Sequence, residues 1–347
     1  MWSRICTGLD VPAAEITAAR EALTGVLGSW ADDPIGATCA VPSYVSADGF
    51  PAEFSLSWKH DRPEIRVLFE SLGRNARESQ RAGSDLTRRL ADERGVSVER
   101  YLKIEDLFLT EDPKPYRPAV WHSLAWEPGG RPQYKVYLNP QAHGRHRSFE
   151  VVADAMDRLG MGVGWHRVAA RADELQDNGH ELEFFALDLG ATRSARVKVY
   201  FRHGPVSRSG LGEVAAMARS HDEQRAARII RTIYGPETTE FHNEPMTCLA
   251  FREGADEPEE ANLYLRLPEN ARNDEEAAAR IACAMRSEGL DPTPYLTTLR
   301  SLCPQPLNRT AGLQELFSYR TVSKTTRPHI GVYLRPSPYP TKAQPPK

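Results

Sequence analysis

The sequence predicts an α+β fold: a ten-stranded antiparallel β-barrel of five repeated helix–hairpin units, with the helices outside. Three observations predict it. Helical stretches and β-hairpins alternate five times along the 347 residues, with a period of roughly 65 residues, too long for the common solenoid repeats. The helices follow whole hairpins, not single strands, which argues against parallel βαβ units. Within the hairpins, basic and phenolic residues alternate with aliphatic ones, the period of strands with two unlike faces.

The elements follow in order. Pro12–Trp30 is an Ala-rich amphipathic helix. Phe50–Trp58 and Glu64–Leu72 are strands around a short polar turn, Lys59–Pro63. Arg74–Leu107 is helical, and leads to strands Ala119–Glu127 and Gln133–Asn139, joined by Pro128-Gly129-Gly130. Helical Ser148–Gln176 precedes strands Glu181–Leu189 and Ala195–Arg202. Helical Gly210–Tyr234 precedes Pro245–Arg252 and Ala261–Leu267, and helical Asp274–Leu302 precedes Gln314–Thr321 and Pro328–Arg335. One domain over 1–336 is expected, with 337–347, rich in Pro and Lys, as a disordered tail. Ten strands can close into a barrel, which removes exposed edges and leaves more room than the eight that side chains just fill.

Bulk properties exclude several classes. The net charge of −3, with 40% hydrophobic and 26% charged residues, favours neither nucleic acid nor an anionic membrane. Cys6, Cys39, Cys248, Cys283 and Cys303 are scattered, without metal spacing, and are expected as reduced thiols. Neither a signal-peptide core nor a spanning apolar run occurs, so a cytoplasmic protein is expected.

Strand parity decides which residues face inward. Arg196, Lys198, Tyr200 and Arg202 oppose Val197, Val199 and Phe201. Lys135 and Tyr137 oppose Val136 and Leu138; Asn262, Tyr264 and Arg266 oppose Leu263, Leu265 and Leu267; Tyr333 and Arg335 oppose Val332 and Leu334. Arg66 opposes Ile65 and Val67, with Leu68 sharing its face. An antiparallel sheet commonly keeps one wet face. Here five amphipathic helical stretches need apolar surface to cover, so the aliphatic faces turn outward and the Arg, Lys and Tyr faces line the lumen. Unpaired buried charges cost several kcal/mol each, and Arg forks suit phosphate oxygens, so the lumen reads as a phosphate or diphosphate site. The tyrosines would screen a carbocation, each ring contributing about 0.5–2 kcal/mol.

Glu53 shares its parity with Ser55 and Ser57 and points inward, as a base toward an aromatic N–H or as the ion-pair partner of a lumen Arg. Asp32-Asp33 lacks a third acid at magnesium-binding spacing, and no Gly-rich phosphate loop or HExxH occurs. No metal or other cofactor is expected.

Glu53-Phe54-Ser55 with Arg66 downstream, Lys135-Val136-Tyr137-Leu138-Asn139-Pro140, and Arg196-Val197-Lys198-Val199-Tyr200 stand in an ordered set. Together they resemble the indole prenyltransferases of the dimethylallyltryptophan synthase type, whose fold is the PT barrel, over Gly49 to Arg335. The lean loops look bacterial-like. The resemblance implies metal-independent transfer of a dimethylallyl group from its diphosphate to an indole-type small molecule or peptide. It implies that Arg66, Lys135, Arg196 and Lys198 hold the diphosphate, that Tyr137, Tyr200, Tyr264 and Tyr333 shield the cation, and that Glu53 takes the indole N–H. Arg266 and Arg335 join the diphosphate set as inward cations, and Trp126, Asn139, Met246 and His329 are expected in the acceptor pocket. There are departures. His122 stands where such enzymes often have Lys, which makes it a candidate for proton removal or binding. His329 replaces an expected tyrosine, and Glu183-Phe184-Phe185 lacks an Arg for an amino-acid carboxylate. A phenol or naphthalene prenyltransferase, with a dimethylallyl or geranyl donor, and a non-catalytic lipid- or anion-binding barrel are the alternatives.

Overall fold

The computed structural model describes residues 1–36, 41–59, 63–114, 119–268, 270–321 and 328–339. The barrel strands are β1 Ala52–Trp58, β2 Pro63–Glu70, β3 Val120–Trp126, β4 Gln133–Leu138 and β5 His180–Asp188. They continue with β6 Val197–His203, β7 Met246–Phe251, β8 Glu260–Arg266, β9 Gln314–Arg320 and β10 His329–Leu334. Each strand pairs antiparallel with its chain neighbours, and β10 closes on β1 through Phe54↔Leu334 and Ser55↔Tyr333. This is the predicted closed ten-stranded barrel.

Three of the longer helices start where a side chain satisfies an orphan backbone N–H. Asn75 caps Ala76–Arg89, Asp222 caps Glu223–Tyr234 and Asn273 caps Asp274–Ser287, each accepting from the N–H three residues on. The predicted run Arg74–Leu107 is not one helix. After Ala76–Arg89 and a 3₁₀ turn at Leu90–Asp92 the chain reverses at Gly95, whose φ of +87° suits glycine, and resumes helix only at Glu99–Leu102. A further helix, Trp2–Gly8, packs on Thr293–Leu302 so closely that a Cβ on Gly8 would lie 2.8 Å from the Thr298 Cα.

Two apolar clusters divide the barrel wall. Leu56, Ile65, Val67, Val136, Val199, Leu249, Leu265, Phe317 and Val332 belong to the outer one, under the helices. Trp121, Phe184, Ala186, Tyr200, Cys248, Tyr264 and Leu316 form the inner one, with Leu68, Tyr137, Met246 and Tyr333 against it. The outer interface holds the fold together, since each fully buried Val, Leu, Ile or Phe contributes about 1.5–3 kcal/mol. Aspartate at Val199 would strand a charge there and break it.

Two predicted site residues fall on the wrong side of this wall. In β3, Trp121, Ser123 and Ala125 face inward, whereas His122, Leu124 and Trp126 face the helices. The His122 Nε2 lies 2.8 Å from the Thr87 Oγ, and its ring stacks on Phe69. Trp126 packs on Trp2 at 6.2 Å. His122 is therefore not in the lumen, and Trp126 does not line an acceptor pocket.

Cys6, Cys248, Cys283 and Cys303 are free, and Cys39 lies outside the described residues. No helix among the described residues is long and apolar enough to cross a membrane. Of the tail, the Tyr339 ring meets Phe50 edge-on at 6.1 Å; residues 340–347, like His60, Asp61 and Arg62 of the first hairpin turn, lie outside the described residues.

Candidate active site

Four phenols divide the lumen into two ends. Tyr137, Tyr200, Tyr264 and Tyr333 come from β4, β6, β8 and β10, the second strand of four hairpins, so one parity places all of them at one level. Their ring centroids follow one another at 5.9, 5.7 and 5.8 Å. Burial raises the proton affinity of all four, so they stay neutral, with ring faces available to a cation.

One end is a network of cations and carboxylates. Arg196 holds Asp188 at 2.9 Å and Glu260 at 3.2 Å, and the Lys135 Nζ lies 3.5 Å from Asp188. Arg66 is bound to Glu64, which also takes Lys59 at 2.6 Å. Arg320 binds Glu260 and His329. Burial opposes ionisation of Asp188, but Lys135, Arg196 and Lys198 hold its carboxyl well below the usual range. Burial pushes Lys135 down to about 8 against the pull of Asp188. Lys198 is pushed down too, by burial first and then by Arg196 and Lys135. These are crowded cations short of counter-charge, the condition that an anion of high charge density relieves.

The other end is aromatic and acidic. Trp121 and Phe184 lie 5.1 Å apart, and Tyr44 leans on Trp121 at 6.2 Å. Met246 packs against this wall. Glu53 is buried here, in register with Leu68. Burial, then the nearby Glu315, pushes its carboxyl up to about 8, against Arg266 and Arg335. Glu70, two residues beyond Leu68, is also buried and accepts from the Ser43 Oγ. Arg202 closes the rim with Glu181 at 2.7 Å, Glu183 at 3.2 Å and Glu244 at 2.6 Å.

The structure brings together Arg66, Lys135, Arg196 and Lys198 at one end, the four tyrosines between, and Glu53 with Met246 at the other. Three further expectations are corrected. Arg266 lies beyond Tyr264 on β8 and Arg335 beyond Tyr333, just past the end of β10, where both engage Glu315, at 3.0 and 3.6 Å. They stand on the Glu53 side of the phenol ring, away from the basic network. His329 pairs with Arg320 in the basic network, not in the aromatic chamber. Asn139 sits just past Tyr137, its Oδ1 accepting from the Gln141 N–H at 2.8 Å.

Sequence reading missed Trp121, Phe184, Glu70, Arg320 and the carboxylates Glu64, Asp188 and Glu260. Parity was the available signal for Trp121: Leu124 and Trp126 face outward with His122, so Trp121 must face inward. Arg320 follows from the same count along Leu316, Ser318 and Arg320.

Residues 15–295 match the family described as tryptophan dimethylallyltransferase. Solved structures agree along the whole chain. A 6-dimethylallyltryptophan synthase from Micromonospora olivasterospora, in complex with DMASPP and Trp, is 30% identical with a TM-score of 0.87, the match covering 99% of this chain and 97% of that one. A 5-dimethylallyl tryptophan synthase from Streptomyces coelicolor, in complex with DMASPP and Trp, is 28% identical at 0.84, over 100% and 95%. The prenyltransferase PriB, solved with L-tryptophan and dimethylallyl thiolodiphosphate, is 28% identical at 0.85, over 100% and 96%. On this match, and on a barrel whose lumen joins a cationic cluster to an aromatic acid chamber through a ring of phenols, the chain belongs to the tryptophan dimethylallyltransferase family.

Proposed function

We propose that this protein transfers a dimethylallyl group from dimethylallyl diphosphate to the indole ring of tryptophan or a close tryptophan derivative, without a metal ion. The observation that carries the proposal is the unbroken run of four tyrosine rings between the basic network and the Glu53 chamber. Arg66, Lys135, Arg196, Lys198 and Arg320 grip the diphosphate and stabilise the charge that grows as the allylic C–O bond ionises. The electron pair leaves with the diphosphate. Tyr137, Tyr200, Tyr264 and Tyr333 face the allylic cation and keep water away.

The indole lies against Trp121 and Phe184, and its N–H meets Glu53. A carboxylate there makes the ring more electron-rich as it attacks. A C–C bond forms, and loss of the ring proton restores aromaticity. Binding both substrates in one closed chamber supplies much of the rate.

Incubation with dimethylallyl diphosphate and L-tryptophan, with and without EDTA, tests the proposal by mass spectrometry. The expected product is tryptophan carrying one prenyl unit, formed equally in both samples. No prenylated indole from tryptophan or its derivatives would refute the reaction; product only without EDTA would refute metal independence.

A further inference from the structure

The proposed reaction ends with a proton leaving a ring carbon, and Glu53, engaged at the ring nitrogen, cannot also meet it there. The lumen holds a second buried acid beside it. Glu70 shares the inward parity of Glu64, Arg66 and Leu68 on β2. Glu53 pairs with Leu68, so Glu70 is its diagonal neighbour, a spacing of about 7–8 Å that one indole ring bridges. Across the sheet Glu70 is in register with Trp121, part of the aromatic wall. It is only 6% exposed.

Its surroundings differ from those of the carboxylates at the basic end. Glu64, Asp188 and Glu260 each bind at least two cationic side chains. Among the described residues no Lys, Arg or His pairs with Glu70, and the Ser43 hydroxyl donates to it. A buried acid without a counter-ion is destabilising, so its presence asks for a role.

We propose that Glu70 is the base that removes the proton from the prenylated ring carbon, a role that rests on the reaction proposed above. The allylic C–O bond breaks with its electron pair on diphosphate. A ring π pair forms the new C–C bond. The proton on that carbon then passes to a Glu70 carboxylate oxygen, and the C–H pair returns to the ring. Burial pushes the Glu70 carboxyl up to about 7, against the Ser43 hydroxyl and the Trp121 N–H, which suits a base working near neutral pH.

The test compares L-tryptophan with L-tryptophan deuterated at its benzenoid carbons, in the wild type and in Glu70→Gln, Glu70→Asp and Ser43→Ala. In the wild type, proton loss follows the slower ionisation, and both acceptors turn over alike. In Glu70→Gln turnover falls by about a hundredfold or more, and a primary isotope effect appears because proton loss now limits the rate. Glu70→Asp restores part of the rate and shrinks the isotope effect, and unaltered affinity for dimethylallyl thiolodiphosphate shows that each variant is folded. Wild-type turnover in Glu70→Gln overturns the assignment. So does an equal loss in Glu70→Gln and Ser43→Ala with no isotope effect, which makes Glu70 only an anchor for the segment around Ser43. A wild type that fails to prenylate tryptophan would defeat the proposed reaction instead.

Discussion

At the basic end of the lumen the buried carboxylates Glu64, Asp188 and Glu260 are bound by cations, whereas at the aromatic end Glu53 and Glu70 lie buried beside apolar rings. The same strands build both ends, and four tyrosines mark the boundary. The difference teaches how one wall handles two chemistries. Burial first, and then crowding by neighbouring cations, holds the lysines below their ordinary proton affinity, ready to gain protons with an anion. Burial holds the two acids above theirs, poised to lose protons near neutral pH.

The largest effect tests the aromatic end. Glu53→Gln keeps the shape and removes the charge, and turnover should fall by about 10²–10⁴-fold. Affinity for dimethylallyl thiolodiphosphate, measured by calorimetry, should stay the same, since Glu53 lies beyond the tyrosines. A pH profile sharpens the point. Because burial raises the Glu53 carboxyl to about 8, the ionised form proposed to accept the N–H gains population as pH rises through that value. With the donor saturating, the wild-type kcat/KM for tryptophan should therefore climb across that window, and Glu53→Gln should lose this limb. A Glu53→Gln profile with the limb intact would assign the titration to another group.

The next effect tests the basic end. Lys198→Ala removes a charged hydrogen-bond donor, and donor affinity should weaken by about 1.5–3 kcal/mol, roughly ten- to a hundredfold. Its companion is Arg266→Ala. Arg266 shares a strand face with Tyr264 but engages Glu315, on the Glu53 side. Donor affinity should not change in that variant, whereas the pH limb should move upward, because Arg266 favours the ionised Glu53. If Arg266→Ala weakened the donor as much as Lys198→Ala, the division of the lumen would be wrong. Proton counting gives an independent check. Binding the diphosphate analogue at pH 8 should take up protons on Lys135 and Lys198, seen as a dependence of the calorimetric heat on buffer ionisation enthalpy.

How much of this was legible depends on regularity. The five-fold alternation and the parity of the second hairpin strands were readable, because a closed barrel forces every strand to obey the same two-residue period. Hence Arg66, Lys135, Arg196, Lys198 and the four tyrosines stand inside. Placement along the axis was not readable. Arg196 and Arg266 share a face, yet only the register between strands tells that one precedes the tyrosine level and the other follows it. Bulges hid more. Glu183 and Glu315 are extra residues at breaks in register, and each is turned toward an inner arginine, Arg202 or Arg266, that simple alternation would not give it. Glu70 was concealed by the Leu68 between it and Arg66, an apolar residue on an otherwise polar inward face.

The smallest expected effect on catalysis belongs to His122, and it tests the wall itself. Its imidazole is bonded to the Thr87 hydroxyl and stacked on Phe69. Burial, then Arg89, lowers its proton affinity to about 3, so it is neutral wherever the protein works. Thr87→Val leaves a buried ring nitrogen without its partner, which destabilises by about 1–3 kcal/mol, read as a lower Tm. Turnover and donor affinity at a temperature where the variant is folded should equal those of the wild type, because the change lies in the helical jacket and the lumen keeps Trp121 and Ser123 on the opposite face of the same strand. A Thr87→Val enzyme with normal Tm and crippled turnover would mean that the strand presents His122, not Trp121, to the substrates, and the inward parity on which both ends depend would fail at β3.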